Sequence, residues 1–406
     1  MRTLRRALIY NRMLTPSNSS RRPKAPIVSP ERVSDFASQV LGEALHKKRV
    51  DSVANATLGV LQAASLAVST IGEGLAICKG LRTKHAIKQV DRLFSNRGLD
   101  VNLLFASWVP FSLAERLEIV VVLDWTDFDA DDHSTLALSL VTSHGRSTPL
   151  LWKTVHKSKL AKRRNDFEDA LLLRLREVIP DGVRVTILCD RGFADKKLYE
   201  YIKTELGFDY IIRFRSSILV TDERGQTRAA KDWIPKSPRT LKLRSARVTQ
   251  DGYQVGAVVL LHDRDMKEAW CLSTSRADLT GAQVVALYGK RFTAEETFRD
   301  QKDLRFGMGL SSTRIKDPKR RDRVLLVCAM ATALLTLLGA AGESLGEDRM
   351  LKANTVKTRT HSLLRQGTYY FAAMPNWPEE RSARLLARFA LLLSQNQFCR
   401  HVFAII

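Results

Sequence analysis

The sequence contains no CxxC pair and no cluster of histidines, and its five cysteines (Cys78, Cys189, Cys271, Cys328 and Cys399) are odd in number and scattered. That usage argues against a structural zinc site and suits a reducing cytoplasm. A secretory leader is also lacking: MRTLRRALIYNRMLTPSNSSRRPK is basic and Ser-rich but has no uninterrupted apolar core. Residues 1–30 are expected to be a floppy basic arm or the product of an over-long start. Only one apolar run, residues 324–342, approaches the length of a membrane span. Its Ala, Thr and Gly content, and the want of a second such run, favour a buried helix with no membrane partner.

Acidic residues are in short supply. Lys and Arg number 65 against 43 Asp and Glu, a formal net charge of +22, while 45% of the residues are apolar. The composition is that of a folded protein whose surface attracts polyanions, with nucleic acid the leading partner. At 406 residues the chain has room for two or three domains and a sizeable core without disulfides.

Three segments in the first third, VSDFASQVLGEALHKK, ANATLGVLQAASLAVSTIGEGLAI and TKHAIKQVDRLFSN, carry apolar residues at three- and four-residue spacing and are expected to be helices. Basic residues between them (His46, Lys47, Lys48, Arg49, Lys79, Arg82 and Lys84) suit a helical DNA-binding region over residues 31–110, and a plain bundle with a solvated face explains them equally. From Leu117 the pattern changes. EIVVVLDW reads as a strand buried on both faces, followed by STLALSLVTSHG and RSTPLLWKTVH as strands joined at a turn. NDFEDALLLRLREVI then reads as a helix, VRVTILCD as a strand, ADKKLYEYIKTEL as a helix and FDYIIRFR as a strand. Three strands in a meander, then helix, strand, helix and strand, give an α/β fold with a ribonuclease H-like mixed sheet. Residues from about 216 to 275 alternate in strand fashion, as a β-rich insertion before the last catalytic helix. The catalytic domain is expected over residues 111–345 and a helical C-terminal region over 346–406.

Two buried strands end in aspartate, Asp124 in VVVLD and Asp190 in VTILCD. Either one alone is equally a turn former or helix cap. A desolvated carboxylate costs several kcal/mol unless a cation, metal or donor compensates it. In the expected strand order the two strands are neighbours, which brings the aspartates toward metal-bridging distance. Oxygen-only ligation suits magnesium or manganese. Asp127, Asp129, Asp131 and Asp132 compete for the role, although strand alternation turns Asp127 to the opposite face from Asp124.

The segment YGKRFTAEETFRDQK, residues 288–302, carries two adjacent glutamates. On a continuous helix with Tyr288 at zero, Arg291 falls near ~300°, Glu295 near ~340°, Lys302 near ~320° and Arg299 near ~20°, whereas Glu296 lies off that face at roughly 80°. A carboxylate flanked by a phenol and three cations suits a metal beside a phosphodiester. A surface helix with spaced ion pairs gives the same pattern.

At this point the chain resembles the bacterial insertion-sequence DDE transposases of the insertion-sequence-four group. Tyr288, Arg291, Glu295 and Lys302 match the signature Y-x2-R-x3-E-x6-K. Asp124 stands in D-W-T, similar to the group's first-aspartate D-x-T, and Asp190 stands in CDRGF, which resembles the second-aspartate block. The resemblance spans roughly residues 35–340. It implies a metal-binding catalytic triad of Asp124, Asp190 and Glu295 holding two Mg2+ (or Mn2+) ions, with Tyr288, Arg291 and Lys302 on DNA phosphates. It also implies DNA partners (terminal inverted repeats and target), a homodimer on paired ends, and a bacterial, nucleoid-associated location in the cytoplasm. Phe292 stands where the group usually has tryptophan and keeps an aromatic face. Trp270 is similarly placed to a tryptophan common in the group; base stacking and core packing both explain it, while Trp125 reads as packing.

Two other activities share these residues: a related nuclease that only hydrolyses, and a catalytically inactive DNA-binding regulator. A haloacid-dehalogenase site needs a second acid two residues after the first, where this chain has Thr126. The charge balance yields an expectation of its own. If six or more phosphates are neutralised, affinity for DNA falls by ~10³-fold or more between about 50 and 200 mM salt. A filter-binding titration measures this, and a flat salt profile refutes the electrostatic reading.

Overall fold

The computed structural model describes residues 28–237 and 239–394. Most of the expected basic arm (residues 1–27) and Cys399 lie outside these residues. Five helices open the described chain: α1 Pro30–Leu41, α2 Lys47–Ala63, α3 Val68–Lys79, α4 Thr83–Ser95 and α5 Val101–Leu113. Ser29 caps α1 by accepting from the Arg32 N–H, with proline at the first helical position. The long apolar segment expected as one helix is two, α2 and α3, bent by 95°. No proline marks the break. Ala64 is left-handed (φ 47°), and the Leu66 N–H leaves the helical ladder to donate to Met308 O at 2.9 Å. Across the bend Gly59 of α2 lies against Ile71 of α3, where an added Cβ would stand 2.3 Å from the Ile71 carbonyl oxygen, so the two helices pack at backbone contact.

The sheet follows the sequence pattern closely at first. Strands β1 Glu118–Phe128, β2 His133–Leu140 and β3 Thr148–His156 form an antiparallel meander, α6 Arg164–Val178 crosses over, and β4 Arg184–Cys189 returns parallel to β1. A short helix, α7 Lys196–Glu200, continues as a π-turn (Tyr201–Glu205) and leads to β5 Asp209–Arg213, parallel to β4. Both faces of β1 and β4 are covered, which is why their sequences are continuous apolar runs rather than alternating ones.

The strand-rich residues that follow divide between two sheets. Strands β6 Leu219–Thr221 and β7 Thr227–Ala229 precede a single helical turn, α8 Ala230–Trp233, and then come β8 Leu241–Arg244, β9 Arg247–Val248, β10 Tyr253–Gln254, β11 Ala257–Leu261 and β12 Trp270–Thr274. β12, β11 and β8 extend the main sheet, in the order β3-β2-β1-β4-β5-β12-β11-β8, and the others form a separate sheet, β10-β9-β6-β7. TLKLRSARV therefore is two strands: the chain turns at Ser245 (φ 45°) and moves from one sheet to the other.

Helices α9 Gly281–Gly289 and α10 Phe292–Lys302 come next, then α11 Pro318–Ser344, α12 Leu363–Ala373 and α13 Glu379–Ser394. α11 carries the apolar run of residues 324–342, and 94% of its most apolar stretch is buried inside the protein. It crosses α12 at two glycines. A Cβ on Gly339 would stand 1.9 Å from Leu363 O, and one on Gly367 would stand 1.8 Å from Leu335 O. Gly367→Ala thus forces the helices apart and is expected to lower stability by at least about 2 kcal/mol, read as a lower denaturant midpoint. An unchanged midpoint would show that the crossing can relax.

Candidate active site

β1 and β4 pair in parallel with Val122 opposite Leu188. Continued two residues past that pair, the register sets Asp124 opposite Asp190 at the carboxyl edge of the sheet. Asp190 is also a cap: its Oδ1 accepts the Gly192 N–H at 2.7 Å and ends the strand in a short turn. The two expectations for a strand-end aspartate, cap and site residue, are compatible at this position. α10 lies across the same edge. Asp124, Asp190 and Glu295 line one cavity of about 690 Å³ together with Trp125, Thr126, Arg291, Phe298, Arg299, Lys302, Leu304, Ser311, Ser312 and a fourth acid, Asp303, whose carboxylate accepts the N–H groups of Arg305 and Phe306.

The expected continuous helix over 288–302 is interrupted. Lys290 and Arg291 form a tight turn of i→i+3 bonds (Lys290 N–H to Leu287 O, Arg291 N–H to Tyr288 O) between α9 and α10, so the single-face geometry holds only for the residues of α10 and the turn before it. Tyr288 belongs to α9. It is buried among Val120, Ile211, Leu272 and Val284, edge-on to Trp270 with ring centroids 4.9 Å apart, and does not line the cavity. Burial pushes its hydroxyl up to about 12, so it stays protonated.

Arg291 is the centre of the charge pattern. Its guanidinium donates to Asp124 Oδ2 at 3.1 Å and also to Glu295 Oε1, while only 8% of the residue is exposed. Glu296 turns the other way, to Arg299 and to Arg146 at 3.5 Å. The two adjacent glutamates are therefore distinguished as helical phase anticipated. Lys302 Nζ donates to Thr126 Oγ1 (3.2 Å) and Asp127 O (2.6 Å), beside the Phe128 ring. Three of the competing acids are engaged elsewhere: Asp127 accepts from Ser134 Oγ at 2.7 Å and pairs with Lys157, Asp129 pairs with Lys157, and Asp131 pairs with the buried Arg321, while Asp132 ends the turn after β1 and does not line the cavity.

Trp270 and Phe292 stack on each other, centroids 6.2 Å apart, in a neighbouring cleft with Arg191, Arg213 and Lys267. Trp125 has a larger part than packing. Its indole N–H donates to the buried Glu168 at 2.8 Å, Arg164 covers its ring at 5.0 Å, and the residue lines the cavity. Glu168 was not visible as a site neighbour because it comes from α6, whose amphipathic pattern gives no sign of which strand end it faces. Ser311 and Ser312 arrive from the far side of α10 in the same way.

A family model described as transposase DDE domain matches residues 115–334, just over half of the 406-residue chain. The chain belongs to that family. No curated protein matches it at a significant level. Members of this DDE transposase family act on DNA and generally use divalent metal ions, and the mixed sheet with flanking helices is consistent with a ribonuclease H-like transposase fold. The cavity's donor chemistry fits such ions: its acidic lining is carboxylate oxygen, without nitrogen or sulfur ligands. Burial first, then the charges of Asp190 and Glu295, raise the Asp124 pKa to about 6 despite the opposing charge of Arg291, so the cluster favours an added cation. Among the described residues, however, no three such side chains stand close enough as placed to hold an ion. Arg291 occupies the positive role between Asp124 and Glu295.

The folded protein holds the Asp124 proton more tightly than the unfolded chain does, so this group withdraws stability from the metal-free protein as pH rises from about 4 to about 6. Arg291→Gln removes the main opposing charge. Asp124 is then expected to titrate above about 6, followed by carboxyl 13C NMR; an unmoved titration would mean that the pair does not form in solution.

Proposed function

We propose that this transposase-family protein is a cut-and-paste DNA transposase of the insertion-sequence-four group, acting at terminal inverted repeats as a homodimer on paired ends. The observation that carries the reading is the meeting of Asp124, Asp190 and Glu295 on one cavity under the cations Arg291, Arg299 and Lys302. We assign the three carboxylates as the ligands of two Mg2+ or Mn2+ ions. Bound there, such ions would supply Lewis-acid charge to the attacking and leaving oxygens of a phosphodiester.

The side chains divide the remaining work. Trp125 and Glu168 hold the end of β1, so that Asp124 keeps its direction. Arg291 neutralises Asp124 and Glu295 in the free protein. On DNA it is free to exchange those carboxylates for a phosphate, to which it offers a planar pair of donors. Lys302, anchored on the β1 backbone, holds a second phosphate. Tyr288, buried beside Arg291, acts on DNA only through that guanidinium. The Trp270 and Phe292 cleft offers a stacking place for an extruded base, which offsets part of the unstacking cost of a few kcal/mol. We read residues 216–275 as an insertion that carries this cleft, the helices over 31–110 as a DNA-binding region, and the protein as cytoplasmic and nucleoid-associated.

The reading predicts that Asp190→Ala lowers end cleavage by more than ~10²-fold, beyond what loss of a supporting partner costs, with end binding retained. Joining of a pre-cleaved end to target DNA separates a transposase from a nuclease. Absence of joined product with the wild-type protein would leave only the hydrolytic reading, and full cleavage by Asp190→Ala would reject the site.

A further inference from the structure

Past Val122, β1 pairs with β2 alone, so residues 123–128 form with 133–138 a two-stranded overhang beyond the edge of β4. The overhang carries both groups to which Lys302 donates, the Thr126 hydroxyl and the Asp127 carbonyl. A ribbon of two strands is marginal in water when it stands alone. The placing of Lys302 therefore depends on what braces the tip of this one.

The brace comes from α11. Its first turn carries three cations, Lys319, Arg320 and Arg321, although a helix N-terminus disfavours positive charge. Arg320 has its cause in Asp91 of α4, at 2.7 Å. Arg321 turns inward and is fully buried. It donates through Nη2 to Asp131 and through Nε to His133 Nδ1 at 3.1 Å. Nδ1 is then an acceptor, so the His133 proton sits on Nε2 and is donated to Lys316 O at 3.2 Å. Arg321 Nη1 has no hydrogen-bond partner among the described residues, a costly state for a buried donor. What stands beside the guanidinium instead is the Phe128 ring, its centroid 3.9 Å from Cζ, whose negative face offsets that cost.

Lys302 Nζ lies 5.1 Å from the same centroid. The acids nearby are taken: Asp127 and Asp129 pair with Lys157, Asp131 pairs with Arg321, and Asp303 accepts the N–H groups of Arg305 and Phe306. Lys302 is thus held by neutral groups, a hydroxyl, a carbonyl and a ring, which fix its ammonium without cancelling its charge. Two bare cations on one ring would repel each other, and Asp131 removes most of that cost by neutralising Arg321.

We propose that Arg321 and Phe128 are positioning residues, which act through the shared ring to keep the Lys302 ammonium where it meets a DNA phosphate. The proposal rests on the phosphate role given to Lys302 above and extends it to the first turn of α11, which itself touches no DNA. A lysine stem is long and flexible, and fixing it before DNA arrives lowers the entropy lost on binding.

The test measures binding of the full-length protein, in chelator, to a duplex taken from the DNA flanking the gene, by fluorescence anisotropy at several salt concentrations. Lys302→Ala is expected to weaken binding and to lower the salt slope by about 1. Phe128→Leu is expected to weaken binding about three- to tenfold when Lys302 is present and less than about twofold in the Lys302→Ala background, the coupling expected of groups that act together. Trifluorophenylalanine at position 128 keeps the shape of the ring and depletes its negative face; it is expected to weaken binding about two- to fivefold with an unchanged denaturant midpoint. Arg321→Lys keeps a charge for Asp131 but not the planar fork, and is expected to match Phe128→Leu. The inference is overturned if Phe128→Leu costs the same in both backgrounds, as a general loosening of the fold would, or if the fluorinated ring binds as wild type does. A Lys302→Ala variant with unchanged affinity and slope rejects the phosphate role and the inference with it, whereas a wild-type protein that does not bind the duplex rejects the transposase reading itself.

Discussion

The parallel pairing of β1 with β4 is the constraint on which the site depends. A ladder that sets Val122 against Leu188 leaves little freedom in where the next two residues go: Asp190 falls where β4 leaves the sheet, while β1 runs on past Asp124 to Phe128 along β2 alone. Because side chains alternate strictly along a strand, a slip of one residue in this register would turn one aspartate to the opposite face. Both strands are buried at consecutive positions, so their apolar side chains are accommodated on either face and the aspartates are the residues a slip would misplace.

Charge completes what register begins. Asp190 and Glu295 repel Asp124 across the cavity, and burial makes the charged form of Asp124 costly. The protein answers with Arg291, placed at a turn between two helices so that its side chain reaches both Asp124 and Glu295 while its backbone stays in the core. A continuous helix would have carried Tyr288 to the cavity wall. The interruption instead lets Tyr288 pack beneath, where its ring joins the Trp270 edge to the apolar layer behind the sheet. The same economy of position appears at Lys302, whose ammonium group bonds to the β1 backbone and so ties α10 to the strand that bears Asp124.

Much of this was readable from residue order alone. The buried runs leading to Asp124 and Asp190, the meander before the first crossover helix, the buried character of residues 324–342 and the distinction of Glu295 from Glu296 all follow from periodicity, because each is set by neighbours within a few residues or by which face of an element is apolar, although β1 does not end at Asp124 as expected but continues to Phe128. Other features were not. The bend between α2 and α3 has no breaker in the sequence and exists because Leu66 finds Met308 more than two hundred residues away. Nothing in the strand-like alternation of residues 216–275 marks the turn at Ser245, on either side of which the chain belongs to a different sheet.

The sequence by itself determined the chemistry on offer: carboxylates at strand ends, cations in excess, aromatics near them, and no sulfur or nitrogen cluster to compete. Those choices are local and are carried by composition and spacing. Tertiary structure alone decided which of them share a space. It brought Glu168 under Trp125, set Arg291 between two acids, sent Asp127, Asp129 and Asp131 to partners of their own, and left Leu304 exposed on the cavity wall. The physical reason is that a pairwise contact between distant segments depends on the packing of every element between them, and no short stretch of sequence carries that information.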